Sequence, residues 1–344
     1  MKPIRVLIVD DSPTVQTVLT SVLSDEPDIE VLGIASDPFE AKDLIVEKRP
    51  DVITLDFEMP RMDGITFLKR LMSFRPIPVI MISSYTRKNS IRTFEALNAG
   101  AFDFVAKPTG DVRIGLQNLK HEIISKIRAA TRAKIKLSGL LGKSRKPISI
   151  GKNRAFNKII VIGASTGGTQ AIQTLLESMP SNVNGIVIVQ HLPVGFTSAF
   201  AQRLNGLFPL NIKEAEDGDR IDQGDVLVAP GGIHLQVAKD LMGYYVQLKD
   251  GQPVKHQRPS VDIMFHSVAK TAASDSIGVL LTGMGDDGAD GLLAMKQAGA
   301  FTVAQDEASS VLFGMPRAAI ERGAAKVVVA LDDIAQVILS SLTT

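Results

Sequence analysis

The sequence predicts two α/β units joined by a basic tether, and three observations carry that prediction. The chain has 344 residues, more than twice the roughly 150 of an ordinary domain. Short continuous apolar runs alternate with amphipathic stretches in both halves, the pattern of parallel strands covered on both faces by helices. Charge is nearly balanced, 38 Lys+Arg against 37 Asp+Glu, yet residues 127–158 hold ten basic residues and no acidic one. With 45% hydrophobic residues, there is material for two cores and no case for global disorder. Cysteine is absent, which excludes a disulfide framework, a thiol nucleophile and a thiolate metal site. The start of the chain, Met1-Lys-Pro-Ile-Arg-Val-Leu-Ile-Val-Asp10, lacks a signal-peptide pattern. No apolar stretch approaches the ~20 residues needed to cross a bilayer. A cytoplasmic protein without membrane insertion is expected.

In the first unit the strand candidates are Val6–Val9, Ile29–Ala35, Val52–Leu55, Val79–Ile82 and Phe102–Ala106, with helical stretches such as Thr14–Leu23 and Ile65–Phe74 between them. Five such strands in one short unit predict a flavodoxin-like doubly wound fold over residues 1–126. The segment 127–157 mixes Gly, Ser, Pro and like charges without sustained periodicity and reads as a linker. The second unit, 158–344, opens on Ile159-Ile-Val-Ile-Gly163, continues with Gly185-Ile-Val-Ile-Val189 and later has Ile277-Gly-Val-Leu-Leu281, again predicting a mostly parallel doubly wound sheet. Between them Asp225–Ala229, Ile233–Val237 and Tyr244–Leu248 are short runs separated by turn residues, which suggests an inserted antiparallel hairpin region.

Carboxylates cluster where strand ends should be: Asp10 and Asp11 after the first strand, Asp56 after the third. Ligands of an open parallel sheet bind beyond those ends. Clustered carboxylates repel and raise one another's pKa unless a cation compensates. Mg²⁺ suits them because it prefers oxygen ligands and leaves room for phosphate oxygens. Asp56 could then serve as an acceptor in phosphoryl transfer, with Lys107 supplying a positive charge and Ser83 a hydroxyl.

Residues 4–108 resemble the receiver domain of two-component response regulators. The motifs are Val9-Asp-Asp-Ser12, Leu55-Asp-Phe-Glu-Met-Pro-Arg-Met-Asp-Gly64, Ser83-Ser84 and Lys107-Pro108. The resemblance implies Asp56 as phospho-acceptor, Asp10 and Asp11 with Asp56 as Mg²⁺ ligands, Ser83 as switch hydroxyl and Lys107 as phosphate partner. Phe104 takes the switch-aromatic position, without the hydroxyl of the Tyr that many receivers carry.

A DNA-binding output would need a compact helical domain with a basic recognition helix. Residues 159–344 instead hold 12 basic against 19 acidic residues and open with an apolar strand, so nucleic acid is not expected as a partner. Its informative run is Gly163-Ala-Ser-Thr-Gly-Gly168, a G-x-S-x-G turn between a strand and the helical stretch Thr169–Glu177. Such a nucleophile elbow lifts a serine hydroxyl to the strand end and offers helix N-terminal amides to an oxyanion. It lacks the G-x-G-x-x-G spacing of dinucleotide sites, and no P-loop Lys follows.

A nucleophilic Ser165 needs a base. Of five histidines, His121 lies in the first unit, His234 in a hairpin strand, His256 in a polar stretch and His266 on an apolar helical face suited to a core histidine. His191 follows the strand Gly185–Val189 and shares the sheet rim with Ser165. A third group should orient its imidazole. After Ile277–Leu281 comes Thr282-Gly-Met-Gly-Asp286-Asp287-Gly288, which offers two adjacent acids; either could instead cap a helix, and spacing does not choose between them.

The combination resembles the chemotaxis protein-glutamate methylesterase, or CheB, family. The carrying motifs of the second unit are Gly163-Ala-Ser-Thr-Gly-Gly168, Gln190-His-Leu-Pro193, Ala229-Pro-Gly-Gly232, Arg258-Pro-Ser260 and Leu281-Thr-Gly-Met-Gly-Asp-Asp-Gly288. The resemblance implies a triad of Ser165, His191 and Asp287, an oxyanion site near Thr166 and Met284, and no cofactor for ester hydrolysis. It implies a monomer acting on γ-methyl glutamate esters of methyl-accepting chemoreceptors, with glutamine deamidation as a second activity. A chemotaxis histidine kinase would be the phosphodonor, and phosphorylation of Asp56 would uncover the esterase rim.

Overall fold

The computed structural model describes residues 2–84, 87–107, 116, 119–132 and 158–342, the side chains of residues 83, 84, 87–89 and 132 excepted. The chain divides into two compact units, Met1–Leu141 and Gly142–Thr344.

The first unit is a five-stranded parallel sheet of β1 (Ile4–Val9), β2 (Ile29–Ala35), β3 (Val52–Asp56), β4 (Val79–Ser84) and β5 (Asp103–Lys107), in the order β2-β1-β3-β4-β5. The doubly wound expectation holds. Helices α1 (Pro13–Ser24), α2 (Pro38–Lys48), α3 (Gly64–Phe74), α4 (Arg87–Asn98) and α5 (Lys120–Arg132) accompany it. Their starts are chemically marked: Pro13 and Pro38 occupy the first helical turn. Asp37 and Asp63 cap α2 and α3 through two backbone amides each. Helix α5 runs six residues past position 126, and residues 133–157 of the expected linker lie outside the described residues. Chain order reverses at β1, which lies between β2 and β3, so the crevice of this sheet opens at the ends of β1 and β3.

The second unit has a seven-stranded sheet, every pairing parallel, in the order β14-β13-β12-β6-β7-β9-β8. Its strands are β6 (Ile159–Ala164), β7 (Ile186–Gln190), β8 (Asn211–Glu214), β9 (Asp225–Val228), β12 (Ser276–Leu280), β13 (Phe301–Gln305) and β14 (Val327–Val329). A separate antiparallel ribbon joins β10 (His234–Asp240) to β11 (Gly243–Lys249). The helices are α6 (Gly168–Glu177), α7 (Phe196–Asn205), α8 (Val261–Thr271), α9 (Ala289–Gln297), α10 (Met315–Glu321) and α11 (Leu331–Ser341).

One expectation needs correcting. Asp225–Val228 is not part of the hairpin but a parallel strand beside β7. Val226, Leu227 and Val228 are all buried, as a strand covered on both faces requires; the turn residues around it give no sign of that. Central strands β6, β7 and β12 are buried along their whole length. Helix α8 lies flush against the ends of β6 and β12, because a Cβ on Gly163 would come within 2.3 Å of Val261 Cγ1, and one on Gly288 within 2.5 Å of the same atom. Gly163→Ala is therefore overpacked, and should cost about 1–3 kcal/mol, read as a lower denaturant midpoint of the second unit's transition.

Candidate active site

The switch in strand order at β6, with β7 on one side and β12 on the other, brings three turns to one rim. The first carries Ser165. Gly167, at φ +77°, starts α6, and the amide of Gly168 donates to the Ser165 carbonyl at 2.8 Å. Neither glycine has room for a side chain: a Cβ on Gly167 would lie 2.5 Å from Val311 Cβ, and one on Gly168 2.1 Å from Gln190 Oε1. The second turn carries His191 on the neighbouring strand. Ala164 pairs in register with Gln190, so the next residues, Ser165 and His191, leave adjacent strands at the same level of the sheet. The His191 amide donates to the Ala164 carbonyl at 3.1 Å. The buried Gln190 side chain ties both turns, donating to the Ser165 carbonyl at 2.9 Å and to the His191 carbonyl at 3.3 Å.

The third turn follows β12 and abuts the nucleophile turn, since a Cβ on Gly283 would reach within 2.8 Å of Ser165 Cβ. The Thr282 carbonyl accepts the Ser165 amide at 3.0 Å. The Thr282 hydroxyl reaches the Thr166 carbonyl at 3.0 Å and accepts the Leu312 amide at 2.9 Å. Thr166 is buried, whereas Met284 is 40% exposed at the rim.

Asp287, 2% exposed, is the acid that meets the imidazole: His191 Nε2 lies 2.8 Å from Asp287 Oδ2. Three more donors reach the same carboxylate at the start of α8. They are the Ser260 hydroxyl at 2.8 Å, the Val261 amide at 2.7 Å and the Asp262 amide at 3.1 Å. Burial opposes the charge, but the hydrogen bond and charge of His191 and the two amides outweigh it and hold the carboxyl below its ordinary range. Its neighbour Asp286 instead pairs with Arg322 at 2.6 Å and Lys255 at 3.2 Å. With a carboxylate on Nε2, the ring proton belongs there, leaving Nδ1 as the basic nitrogen. Nδ1 is buried and without a hydrogen-bond partner among the described residues. No hydrogen bond joins the Ser165 hydroxyl to this ring among the described residues; such bonds commonly tighten when substrate binds.

The other histidines stand apart from this rim. His234 is buried with both nitrogens engaged, Nε2 on the Gln252 carbonyl at 2.9 Å and Nδ1 accepting the Ser260 amide at 3.2 Å. His121 and His256 are exposed. So is His266, which corrects the core placement expected for it: it sits on the solvent side of α8, whose buried face is Val261, Met264, Phe265 and Val268. Sequence reasoning missed Ser260, Gln190 and Thr282 as supports of the site. A hydroxyl at a helix cap and two polar residues at apolar strand ends were the available signals.

In the first unit, one carboxylate oxygen each of Asp10, Asp11 and Asp56 falls within a 4.8 Å group. Lys107 Nζ lies 2.8 Å from Asp56 Oδ2 and 3.1 Å from Asp10 Oδ2. The latter contact is out of hydrogen-bond alignment, and Asp10 Oδ2 is buried without a hydrogen-bond partner among the described residues. Burial and then the charge of Asp56 push the Asp10 carboxyl up to about 6, Lys107 opposing. Burial likewise raises Asp56 against Lys107. Three converging carboxylates, one with an orphaned oxygen, fit a hard divalent cation such as Mg²⁺. Phe104 is buried in β5, with Lys126 Nζ 5.3 Å from its ring centre. Ser83 is the penultimate residue of β4, paired with Ala106; its side chain lies outside the described residues.

Fold and sites together define a class: a doubly wound unit with a carboxylate cluster at its crevice, in one chain with a doubly wound unit that gathers a serine, a histidine and a buried aspartate on one rim. A family profile described as CheB methylesterase matches residues 160–338, and one described as response regulator receiver domain matches residues 6–116. The chain is 49% identical to a protein-glutamate methylesterase/protein-glutamine glutaminase of Bordetella bronchiseptica, covering 99% of this chain and 98% of that one. It is 48% identical to one of Syntrophotalea carbinolica over the same shares. A crystal structure of the Thermotoga maritima CheB methylesterase catalytic domain aligns with a TM-score of 0.52 at 38% identity, covering 53% of this chain and 97% of that one. The chain belongs to the CheB methylesterase family.

The raised Asp10 value has a testable sign. A folded value above the unfolded one means that the neutral form stabilises the fold; that contribution is full below about pH 4 and is lost as pH rises through about 6. Asp10→Asn should therefore raise the melting temperature of the first unit at pH 7 in chelator-treated buffer, with the gain vanishing near pH 3.5. Thermal melts of the full chain at both pH values check this.

Proposed function

We propose that this chain hydrolyses γ-methyl esters of glutamate residues on chemoreceptors to glutamate and methanol, and converts receptor glutamines to glutamates. The observation that carries the reading is the pairing of His191 with the buried Asp287 at 2.8 Å, on the strand end adjoining Ser165. A phosphate-binding reading of the glycine turns would call for a cation there. The nearby Lys255 and Arg322 are instead engaged with carboxylates.

In this reading Ser165 Oγ attacks the ester carbonyl while His191 Nδ1 takes its proton, and Asp287 stabilises the imidazolium. Backbone amides around Thr166 and Met284 receive the oxyanion, each donor worth about 3 kcal/mol in comparable chemistry. The carbonyl–oxygen bond to the methoxy group then breaks and methanol departs with the proton held on His191. Water, deprotonated by the same nitrogen, hydrolyses the acyl-serine and restores Ser165. An amide follows the same course with ammonia as leaving group.

Asp56 is the proposed phospho-acceptor, with Lys107, Ser83 and Phe104 responding to the added charge. Asp10, Asp11 and Asp56 would hold Mg²⁺, which neutralises phosphate oxygens when bound. A chemotaxis histidine kinase is the proposed phosphodonor, and phosphorylation the signal that raises esterase turnover. The domain reading is a receiver over 1–126, extended to Arg132 by α5, a linker to 157, and an esterase from 158. Among the described residues no helix is long and apolar enough to cross a membrane. A monomer acting in the cytoplasm on the receptors' exposed helices, without nucleic acid, completes the proposal.

Ser165→Ala should reduce methanol release from methylated receptor membranes by at least roughly a thousandfold while leaving phosphorylation of Asp56 intact; turnover near wild type would remove the nucleophile assignment. Asp56→Asn should keep basal turnover and lose all stimulation by a small-molecule phosphodonor in the same assay.

A further inference from the structure

Residues 254–257 form a tight turn closed by reciprocal backbone hydrogen bonds between Val254 and Gln257, at 3.0 and 2.8 Å. Its two central residues, Lys255 and His256, both have left-handed backbones, φ +50° and +64°. Neither is the glycine that such a turn favours. Non-glycine residues persist there when their surroundings over-determine the conformation. Here the surroundings are three carboxylates. Lys255 Nζ lies 2.9 Å from Asp262, 3.2 Å from Asp286 and 2.8 Å from Asp290, and donates to the Asp286 carbonyl at 3.1 Å.

Those carboxylates belong to the two elements that hold Asp287. Asp262 stands in the first turn of α8, and its own amide is one of the donors to Asp287. Asp286 is Asp287's chain neighbour, and Asp290 stands in the first turn of α9. Asp262 also accepts the Gly291 amide at 2.7 Å, linking the starts of both helices. The charged groups around Asp287 are thus Asp262 from α8, Asp286 and Asp290 from the turn and α9, Arg322 just after α10, Lys255 from the 254–257 turn, and His191. His234 of β10 touches the same network through Ser260. Arg322 pairs with Asp286 and Asp290 but not with Asp262. The side chain of Asp262, only 6% exposed, has Lys255 as its ion-pair partner.

We infer that Lys255 is a positioning residue for the esterase reaction: it locks the starts of α8 and α9 around Asp287 and offsets the negative charge gathered beside the His191–Asp287 pair. The inference rests on the proposed roles of Ser165, His191 and Asp287. Removing one positive charge from a half-buried cluster raises the pKa of a nearby imidazole, so the base is protonated over a wider range and turnover is lost on the acid side.

The test is the pH profile of methanol release by the full chain on methylated receptor membranes, comparing wild type with Lys255→Met, Lys255→Arg and Ser165→Ala. Lys255→Met should move the acid-limb midpoint of kcat/KM upward by roughly half a pH unit or more. It should lower kcat roughly tenfold with KM within about twofold, and Lys255→Arg should restore the midpoint. An unmoved midpoint in folded Lys255→Met overturns the inference, even if its rate falls, because loosened packing alone has no charge effect to transmit. If Lys255→Met does not fold, Arg322→Met must raise the midpoint and Asp290→Asn must lower it; no movement in either again overturns it. An inactive Ser165→Ala beside an unmoved midpoint sinks this inference alone, whereas an active Ser165→Ala sinks the esterase reading beneath it.

Discussion

Placing one carboxylate in the interior of the second unit is the constraint around which its rim is arranged. A buried charge is costly unless it is hydrogen-bonded and paired. Asp287 meets that condition with four donors from two segments: the imidazole after β7, and the cap hydroxyl and first two amides at the start of α8. The helix N-terminus adds its dipole to the same end. Removing any donor would leave the others facing a less compensated charge, so the position of α8 and the orientation of the imidazole are determined together.

The acidic pocket of the first unit applies the same chemistry to the opposite end. Its sheet also switches direction beside the strand ends that carry the functional groups, and two of its three carboxylates, Asp10 and Asp56, are also buried, with Asp11 exposed. Here, though, the donors are too few. Lys107 serves two carboxylates, one Asp10 oxygen has no hydrogen bond, and both Asp10 and Asp56 sit above the ordinary carboxylate range. The Asp287 site is electrostatically complete as it stands; the Asp10–Asp56 site would be completed by a cation. That contrast accords with a rigid reaction centre in one unit and a responsive one in the other.

Most of the parallel architecture is legible in the sequence because strands buried on both faces are written as unbroken apolar runs, as in Ile159–Ala164 and Ile186–Gln190. Strand β9 is equally apolar, but four residues between turn signals carry no mark of parallel or antiparallel partners, and their spacing alone places them in the hairpin. Strand β8 has a single apolar residue, Ile212, and β14 is only three valines long with none of them buried, too short a run to stand out. The rim residues Ser165 and His191 are legible because they directly follow such runs. The choice between Asp286 and Asp287 is not, since it depends on α8 arriving from elsewhere in the chain with its amides aimed at one acid. The exposure of His266 is legible only in part: Lys270, one turn on, extends a polar stripe, but Asp262, one turn before, is buried, so packing decides where that stripe meets water.

Gly163, in β6, and Gly288, at the start of α9, back onto the same methyl group of Val261. Their histories are consequently not separate. A larger residue at either site needs position 261 to shrink first, and a smaller residue there opens a void beneath the strand end and the helix start at once. Drift at these three positions should therefore proceed in concert, and distant relatives that replace one glycine are expected to have exchanged bulk with the first residue of the facing helix.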